Sequence, residues 1–187
     1  MNFLNDGFSD IRHGVNSPCE QFPPECHRKI DEDRAHPEEF VDALTKEGWM
    51  AALIPEHYGR SRLGLTEASV IMEEINRAGG NLGACHGQMY NMTSLVRHGS
   101  EEQRRRILPR LASGELRSQS KGVTEPTTGT DTTRRKPPAV KTGDRYVING
   151  QKVWISRVQH SDLMILLGRT TPLSEIQKKS QGLPRSF

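Results

Sequence analysis

The sequence predicts an α+β fold of more than one domain, in which an all-α helical bundle precedes a small antiparallel β region. Apolar residues recur at helical spacing up to Leu116, whereas beyond Gly114 the period falls to about two residues. Net charge reverses at the same place, because residues 1–117 carry 14 basic and 18 acidic side chains and residues 118–187 carry 12 basic and 5 acidic ones. We therefore predict a helical domain over residues 1–117 and a β domain over residues 118–187.

Composition and termini exclude several classes of protein. The 187 residues include 26 Lys and Arg against 23 Asp and Glu, and this net charge of +3 argues against a dedicated nucleic-acid binder. No apolar run approaches the length of a membrane span, and the first twenty residues hold no continuous hydrophobic stretch of the secretory type. Cys19, Cys26 and Cys85 lack the paired spacing of a zinc or redox site, so we predict reduced thiols and no metal. We expect a cytoplasmic protein that binds neither nucleic acid nor membrane.

The helices are predicted in order from apolar residues three, four or seven positions apart. These residues are Phe8, Ile11 and Val15; Phe40 and Leu44; Ile71 and Ile75; and Leu82, Met89, Met92 and Val96. Pro37 begins the second helix, and Gly48 and Gly99 follow two of the runs. Ser100 and Gln103 have the spacing of a capping box, which predicts one further helix after them.

The β region is predicted to hold four or five strands. A short polar strand covers residues 119–124 and ends at a proline. Residues 139–155 alternate between apolar and polar, and two-residue turns at 143–144 and 149–150 divide them into three antiparallel strands. The apolar run at 163–167 predicts a strand that is buried on both faces. So few strands leave an open sheet edge, so we expect another segment or partner to cover it.

Five segments, taken together and in this order, resemble the acyl-CoA dehydrogenases. They read GWMAALIPEHYG, LGLTEASVIMEEINRAGGN, HGSEEQRRRILPRLASGEL, GVTEPTTGTD and YVINGQKVWIS, and the resemblance covers nearly the whole chain up to about Pro172. It implies a helical N-terminal domain followed by a small β-barrel domain, which would be truncated in this chain. It also implies that a second helical domain completes the protomer, that FAD lies between these domains, and that an acyl-CoA thioester lies against its flavin.

The resemblance further implies which residues meet the cofactor. Val123 and Thr124 align with residues that line the pyrimidine side of the flavin, Trp154 with the tryptophan that flanks it, and Ser156 with the hydroxyl residue near N5. Outside the family context, Thr124 would read as an ordinary strand end and Trp154 as a core aromatic residue. The full cofactor-binding set that the resemblance implies is Lys121, Val123, Thr124, Gly129, Thr130, Trp154, Ile155 and Ser156.

Three members of this set have further implied features. Thr130 aligns with a serine that contacts the CoA arm or the flavin phosphates, so it is also the predicted substrate-binding residue. Gly129 would let the backbone approach the ligand closely. Lys121 stands just before the flavin-contacting strand, where the family has a bulky apolar or aromatic side chain, and its charge would either lie at the flavin's edge or reach solvent.

The implied activity is FAD-dependent α,β-dehydrogenation of an acyl-CoA, with electrons passed to an electron-transfer flavoprotein by a homo-oligomer. The family's catalytic base is a glutamate in a second helical domain, to which no segment of this chain corresponds. We therefore expect a truncated enzyme with no catalytic residue of its own and no turnover in isolation. Two alternatives stay open: a flavin monooxygenase or nitroalkane oxidase of the same architecture, and a non-catalytic helical interaction module.

Overall fold

The computed structural model describes residues 7–59, 63–134, 138–172 and Glu175, and over these residues helices precede strands as predicted. The helices are α1 (Ser9–Cys19), α2 (Pro24–Glu32), α3 (Glu38–Lys46), α4 (Leu65–Arg77), α5 (Leu82–His98) and α6 (Glu101–Ser113). The strands are β1 (Ser120–Gly122), β2 (Ala139–Thr142), β3 (Arg145–Ile148) and β4 (Met164–Leu166). The predicted fold class, a helical N-terminal part followed by a small sheet region, is confirmed. The polar segment after residue 172 lies outside the described residues, apart from Glu175.

Helix α6 begins with the predicted capping box. The Ser100 hydroxyl accepts the Gln103 amide N–H at 3.1 Å, and the Gln103 side chain accepts the Ser100 amide N–H at 2.8 Å. These two bonds satisfy backbone donors that the first turn would otherwise leave unpaired. Helix α2 is not among the predicted helices, because its sequence holds no run of apolar residues and it has no fully buried side chain.

The core forms where the predicted apolar faces meet. Val15, Phe40, Leu44, Ile71 and Ile75 are essentially inaccessible to solvent and pack together between α1, α3, α4 and α5. A second cluster lies between α5, α6 and the segment that joins α3 to α4; its buried aliphatic members are Ile54, Met92, Leu95, Leu108 and Leu111. Burial of each such side chain contributes roughly 1.5–3 kcal/mol. The helical half therefore has a hydrophobic core of its own, made of two clusters.

The four strands form two separate two-stranded sheets. Strands β2 and β3 are antiparallel, and Gly143, at φ +63°, forms the two-residue turn that was predicted between them. Strands β1 and β4 pair in parallel, with Ser120 opposite Met164 and Gly122 opposite Leu166, whereas antiparallel pairing was predicted for the region. The long connection between these two strands permits the crossover that parallel pairing requires.

Two strand predictions need correction. The third strand predicted up to residue 155 does not form, because residues 149–155 are irregular and Trp154 has φ +60°, which interrupts a pleated strand. The turn predicted at 149–150 consequently joins no strands. The predicted strand at 163–167 is present as β4, but it is not buried on both faces, because Met164 is 42% exposed.

Strand β1 is fixed against α5 by hydrogen bonds from two buried amide side chains. The Asn91 side chain donates to the carbonyls of Ser118 at 2.7 Å and Ser120 at 3.1 Å, and the Gln88 side chain accepts the Ser118 amide N–H at 2.9 Å. Gly87 allows this approach, because a Cβ there would lie 3.0 Å from the Gln119 carbonyl oxygen. The helical half therefore sets the position of the first strand of the sheet region.

Within the described ranges, no helix combines the length and the apolar character needed to cross a lipid bilayer.

Candidate functional site

Two segments run side by side: residues 120–125, which begin with β1 next to α5, and the irregular residues 152–156. The Val153 amide N–H donates to the Thr124 carbonyl at 3.0 Å. The Ser120 hydroxyl donates to the Ser156 carbonyl at 3.0 Å. These bonds join the two sequence motifs that carry the predicted flavin contacts, although about thirty positions separate them along the chain. The structure thus brings together the two segments that carry the predicted residues Val123, Thr124, Trp154, Ile155 and Ser156.

Lys152 lies at the centre of this junction. Its ammonium donates to the Val123 carbonyl at 3.1 Å, to the Glu125 carboxylate at 2.7 Å and to the Leu167 carbonyl at 2.7 Å. The side chains of Lys152 and Glu125 are only 10% and 3% exposed. All three ammonium donors are therefore used within the protein. The sequence analysis did not select Lys152. The signal that could have identified it is a lysine placed between polar and apolar residues in a segment that was predicted to be a strand.

The Trp154 side chain is exposed to solvent rather than packed in the core. Its side chain is 89% exposed, and its backbone lies in the left-handed region at φ +60°. That conformation costs a non-glycine residue roughly 1–2 kcal/mol, and such strain is concentrated at functional sites. Thr124 and Ile155 are half-buried, and Ser156 is exposed. An exposed aromatic ring offers a flat apolar face to a planar ligand.

Gly129 and Thr130 lie beyond a tight turn that follows Thr124. The amides and carbonyls of Glu125 and Thr128 bond to each other at 3.0 and 3.1 Å and close this turn. Both predicted residues are exposed, and a Cβ at Gly129 would meet no heavy atom within 4 Å. The Thr130 carbonyl accepts the Thr132 amide N–H at 3.0 Å. These two residues therefore belong to the same loop as Thr124 but form its exposed end.

Lys121 is the predicted residue that contacts helix α5. Its ammonium lies 5.7 Å from the ring centroid of Tyr90 on α5, which is the geometry of a cation–π contact. Tyr90 also lines an apolar groove of about 430 Å³ between α4 and α5, whose walls include Leu53, Met72 and Met89. Met89 is 4% exposed and belongs to the helical core, and it also lines this groove.

The buried carboxylates near the core are paired with cations. Glu74 is fully buried and accepts hydrogen bonds from Arg12 at 2.6 Å and from Arg77 at 2.7 Å. Burial opposes its ionisation, but the bonds from Arg77 and Arg12 together lower the pKa of Glu74 below its usual value. Glu125 is bound to Lys152. Neither carboxylate has the geometry of a proton-abstracting base in a cleft. The described residues hold no cluster of three side chains that could bind a metal ion.

Family models match both halves of the chain. The model of the acyl-CoA dehydrogenase N-terminal domain matches residues 8–115, and that of the acyl-CoA dehydrogenase middle domain matches residues 120–183. Mitochondrial isovaleryl-CoA dehydrogenase of Bos taurus is 32% identical over 174 residues, which are 91% of this chain and 41% of that protein.

Solved structures show the same relation. An acyl-CoA dehydrogenase from Geobacillus kaustophilus superposes with a TM-score of 0.83 at 25% identity, over 97% of this chain and 47% of that one. Glutaryl-coenzyme A dehydrogenase in complex with glutaryl-CoA superposes with a TM-score of 0.83 at 26% identity, over 98% of this chain and 47% of that one. The chain thus spans less than half the length of these relatives.

Proposed function

The chain belongs to the acyl-CoA dehydrogenase family, and on that premise we propose that it forms the flavin-facing part of an FAD-dependent acyl-CoA dehydrogenase. The observation that carries this proposal is the hydrogen bond between Val153 and Thr124. This bond places the threonine hydroxyl and the exposed Trp154 ring on neighbouring segments. A site for a planar ring such as a flavin needs this arrangement, because one group must contact the edge of the ring and another its face. The division into a helical domain over 1–117 and a β domain over 118–187 stays part of this proposal.

The residues present fit an isoalloxazine ring. Trp154 offers an exposed aromatic face, Thr124 a half-buried hydroxyl, and Gly129 an exposed loop position with open space where a side chain would be. When bound, FAD supplies the acceptor for the hydride that leaves the acyl β-carbon. The Thr124 hydroxyl would donate a hydrogen bond to the pyrimidine edge of the ring and so favour negative charge there. Trp154 would cover the ring and exclude water from it.

The remaining predicted residues complete this proposed site. Ser156 would bond near N5, Val123 and Ile155 would pack against the ring, and Lys121 would border its edge. Thr130, at the exposed end of the loop, would contact the CoA arm or the flavin phosphates.

We propose that the groove between α4 and α5 receives the acyl group. Its lining is mainly apolar, and Tyr90 joins it directly to Lys121 on β1, so an acyl chain in the groove would end near the proposed flavin site. Burial of the chain's methylene groups would contribute about 0.8 kcal/mol each. Within the described residues, Glu74 and Glu125 are paired and are not assigned the role of the base. Acyl-CoA as substrate, an electron-transfer flavoprotein as electron acceptor, a homo-oligomeric state and a cytoplasmic location belong to the same proposal.

The test is a titration of the purified chain with FAD, followed by flavin fluorescence, in wild type and in Thr124→Ala. Loss of one hydrogen bond of about 0.5–1.5 kcal/mol should weaken FAD binding roughly two- to tenfold. Thr142→Ala, at an exposed position on β2, is the matched control and should leave the affinity unchanged. A wild-type chain that does not bind FAD, or equal affinities for wild type and Thr124→Ala, would refute the proposal.

A further inference from the structure

Lys152 and the residue after it, Val153, contact three consecutive residues of the proposed flavin loop. The ammonium binds the Val123 carbonyl and the Glu125 carboxylate, and the adjacent Val153 amide N–H binds the Thr124 carbonyl. Thr124 is thus held by its carbonyl, between two residues that are bound on either side of it. The same ammonium binds the Leu167 carbonyl, just beyond the end of β4, which anchors the junction to the β1–β4 sheet.

We propose that Lys152 is a positioning residue that holds Val123–Glu125 and Trp154 in one fixed arrangement for the flavin; this inference rests on the proposed function. Lys152 acts through Thr124 and Trp154 and does not itself touch the cofactor. Its backbone enters the segment that carries Trp154, and its side chain crosses to the segment that carries Thr124. One residue therefore couples the ring-covering side chain to the hydroxyl that would contact the ring's edge.

The contact between Lys152 and Glu125 is buried, so removing the lysine changes the interior of the junction rather than its surface. Glu125 is 3% exposed, so without the ammonium its carboxylate would stay in a nonaqueous environment with its charge uncompensated by Lys152. The two backbone carbonyls would lose a charge-assisted donor at the same time. Removal of the ammonium should therefore loosen the arrangement of the loop rather than merely delete a surface contact.

The first measurement needs no cofactor: amide hydrogen exchange of Val153, followed by NMR in the full chain. In Lys152→Met, which keeps the side-chain length and removes the donors, Val153 should exchange at least about tenfold faster. The amide of Ile75 in the core of α4 should keep its wild-type rate, which shows that the helical half stays folded. Lys141→Met, at an exposed position of β2, is the matched control and should leave Val153 unchanged.

The second measurement is FAD affinity in the same variants. Lys152→Met should weaken FAD binding about tenfold or more, and Lys152→Arg, which keeps a charged donor, should recover part of the loss. Glu125→Gln keeps the shape of its residue and removes one charged partner, so it should give intermediate values; it carries the test if Lys152→Met fails to fold.

The outcomes separate this inference from the proposed function. Unchanged Val153 exchange in Lys152→Met would overturn the positioning role. Faster Val153 exchange with unchanged FAD affinity would show that Lys152 orders the segment but does not contribute to FAD binding. That result would also overturn the positioning role. A wild-type chain that binds no FAD would refute the proposed function and the flavin part of this inference, and Val153 exchange would still decide whether Lys152 holds the loop.

Discussion

The buried Glu74 carboxylate should be the most sensitive charged position in the helical half. It lies on α4, and it accepts hydrogen bonds from Arg12 on α1 and from Arg77 one turn further along α4. The change to test is Glu74→Leu, which keeps a similar volume and removes both acceptors. This change leaves the Arg12 guanidinium, whose side chain is 9% exposed, without its buried partner.

The expected loss follows from how far each arginine can return to water. Removing one partner of a buried ion pair costs about 3–5 kcal/mol. The Arg77 side chain is 57% exposed and regains hydration, and Arg12 keeps Glu73 at 2.9 Å, so the cost should lie at the lower end, about 3 kcal/mol. For a chain of this size that corresponds to a fall in Tm of roughly 6–12 °C. Arg12→Met combined with Glu74→Leu should recover to within about 1 kcal/mol of wild type, because both buried charges are gone.

The assay is urea unfolding followed by circular dichroism, with Glu73→Gln as the matched control. Glu73 is 57% exposed, so its loss should cost less than about 1 kcal/mol. The lowered pKa of Glu74 adds a dependence on pH: its contribution is present above its ordinary pKa and is lost as pH falls through the lower pKa of the folded state. A cost of Glu74→Leu below 1 kcal/mol, or no recovery in the double variant, would refute this reasoning.

Three further predictions concern the helical half. Arg34 has φ +51° just beyond α2, where glycine is the usual residue, so Arg34→Gly should raise the free energy of unfolding by about 1 kcal/mol, whereas Arg34→Ala should not. Burial is the main cause that lowers the pKa of His36, whose ring stacks on that of His160 at 4.4 Å. The unfolded chain then binds the proton on His36 more tightly than the folded chain does, so the free energy of unfolding should fall as pH drops below about 6.5. In thermal melts taken at several pH values, His36→Phe should reduce this dependence of Tm on pH. Burial raises the pKa of the Cys85 thiol to about 12. In the native protein Cys85 should therefore react with a thiol reagent far more slowly than Cys26, which is partly exposed. The two rates can be measured by mass spectrometry, and equal rates would contradict this prediction.

Most of the helical half was predictable because its periodic apolar residues are the ones that become buried. Val15, Phe40 and Ile71 show the helical spacing in sequence and have no more than 1% exposure in the structure. The capping box at Ser100 was predictable for a local reason, since its two hydrogen bonds join residues three positions apart. Helix α2 was not, because it is amphipathic with few apolar residues and buries none of them fully.

The segment around Trp154 could not be predicted from local pattern. Its alternating residues read as a strand, but its conformation depends on acceptors of Lys152 that lie 29 and 15 positions away in sequence. The positive φ of Trp154 is a conformation that tryptophan rarely adopts, so local propensity does not predict it. The family resemblance selected Thr124 and Trp154, and the structure shows that backbone hydrogen bonds hold them on adjacent segments. The role proposed for Lys152 came only from the three-dimensional contacts.

The measurement that tests the central claim most directly is a titration of the full chain with FAD while tryptophan emission is recorded, in wild type and in Trp154→Phe. The chain has two tryptophans, and Trp154 is the exposed one at the proposed site, whereas Trp49 packs against the helical core. If the flavin lies against Trp154, emission should fall saturably to an end point of one FAD per chain, and most of that fall should disappear in Trp154→Phe. The absence of saturable quenching in wild type, or the same quenching in both proteins, would contradict the assignment of this site.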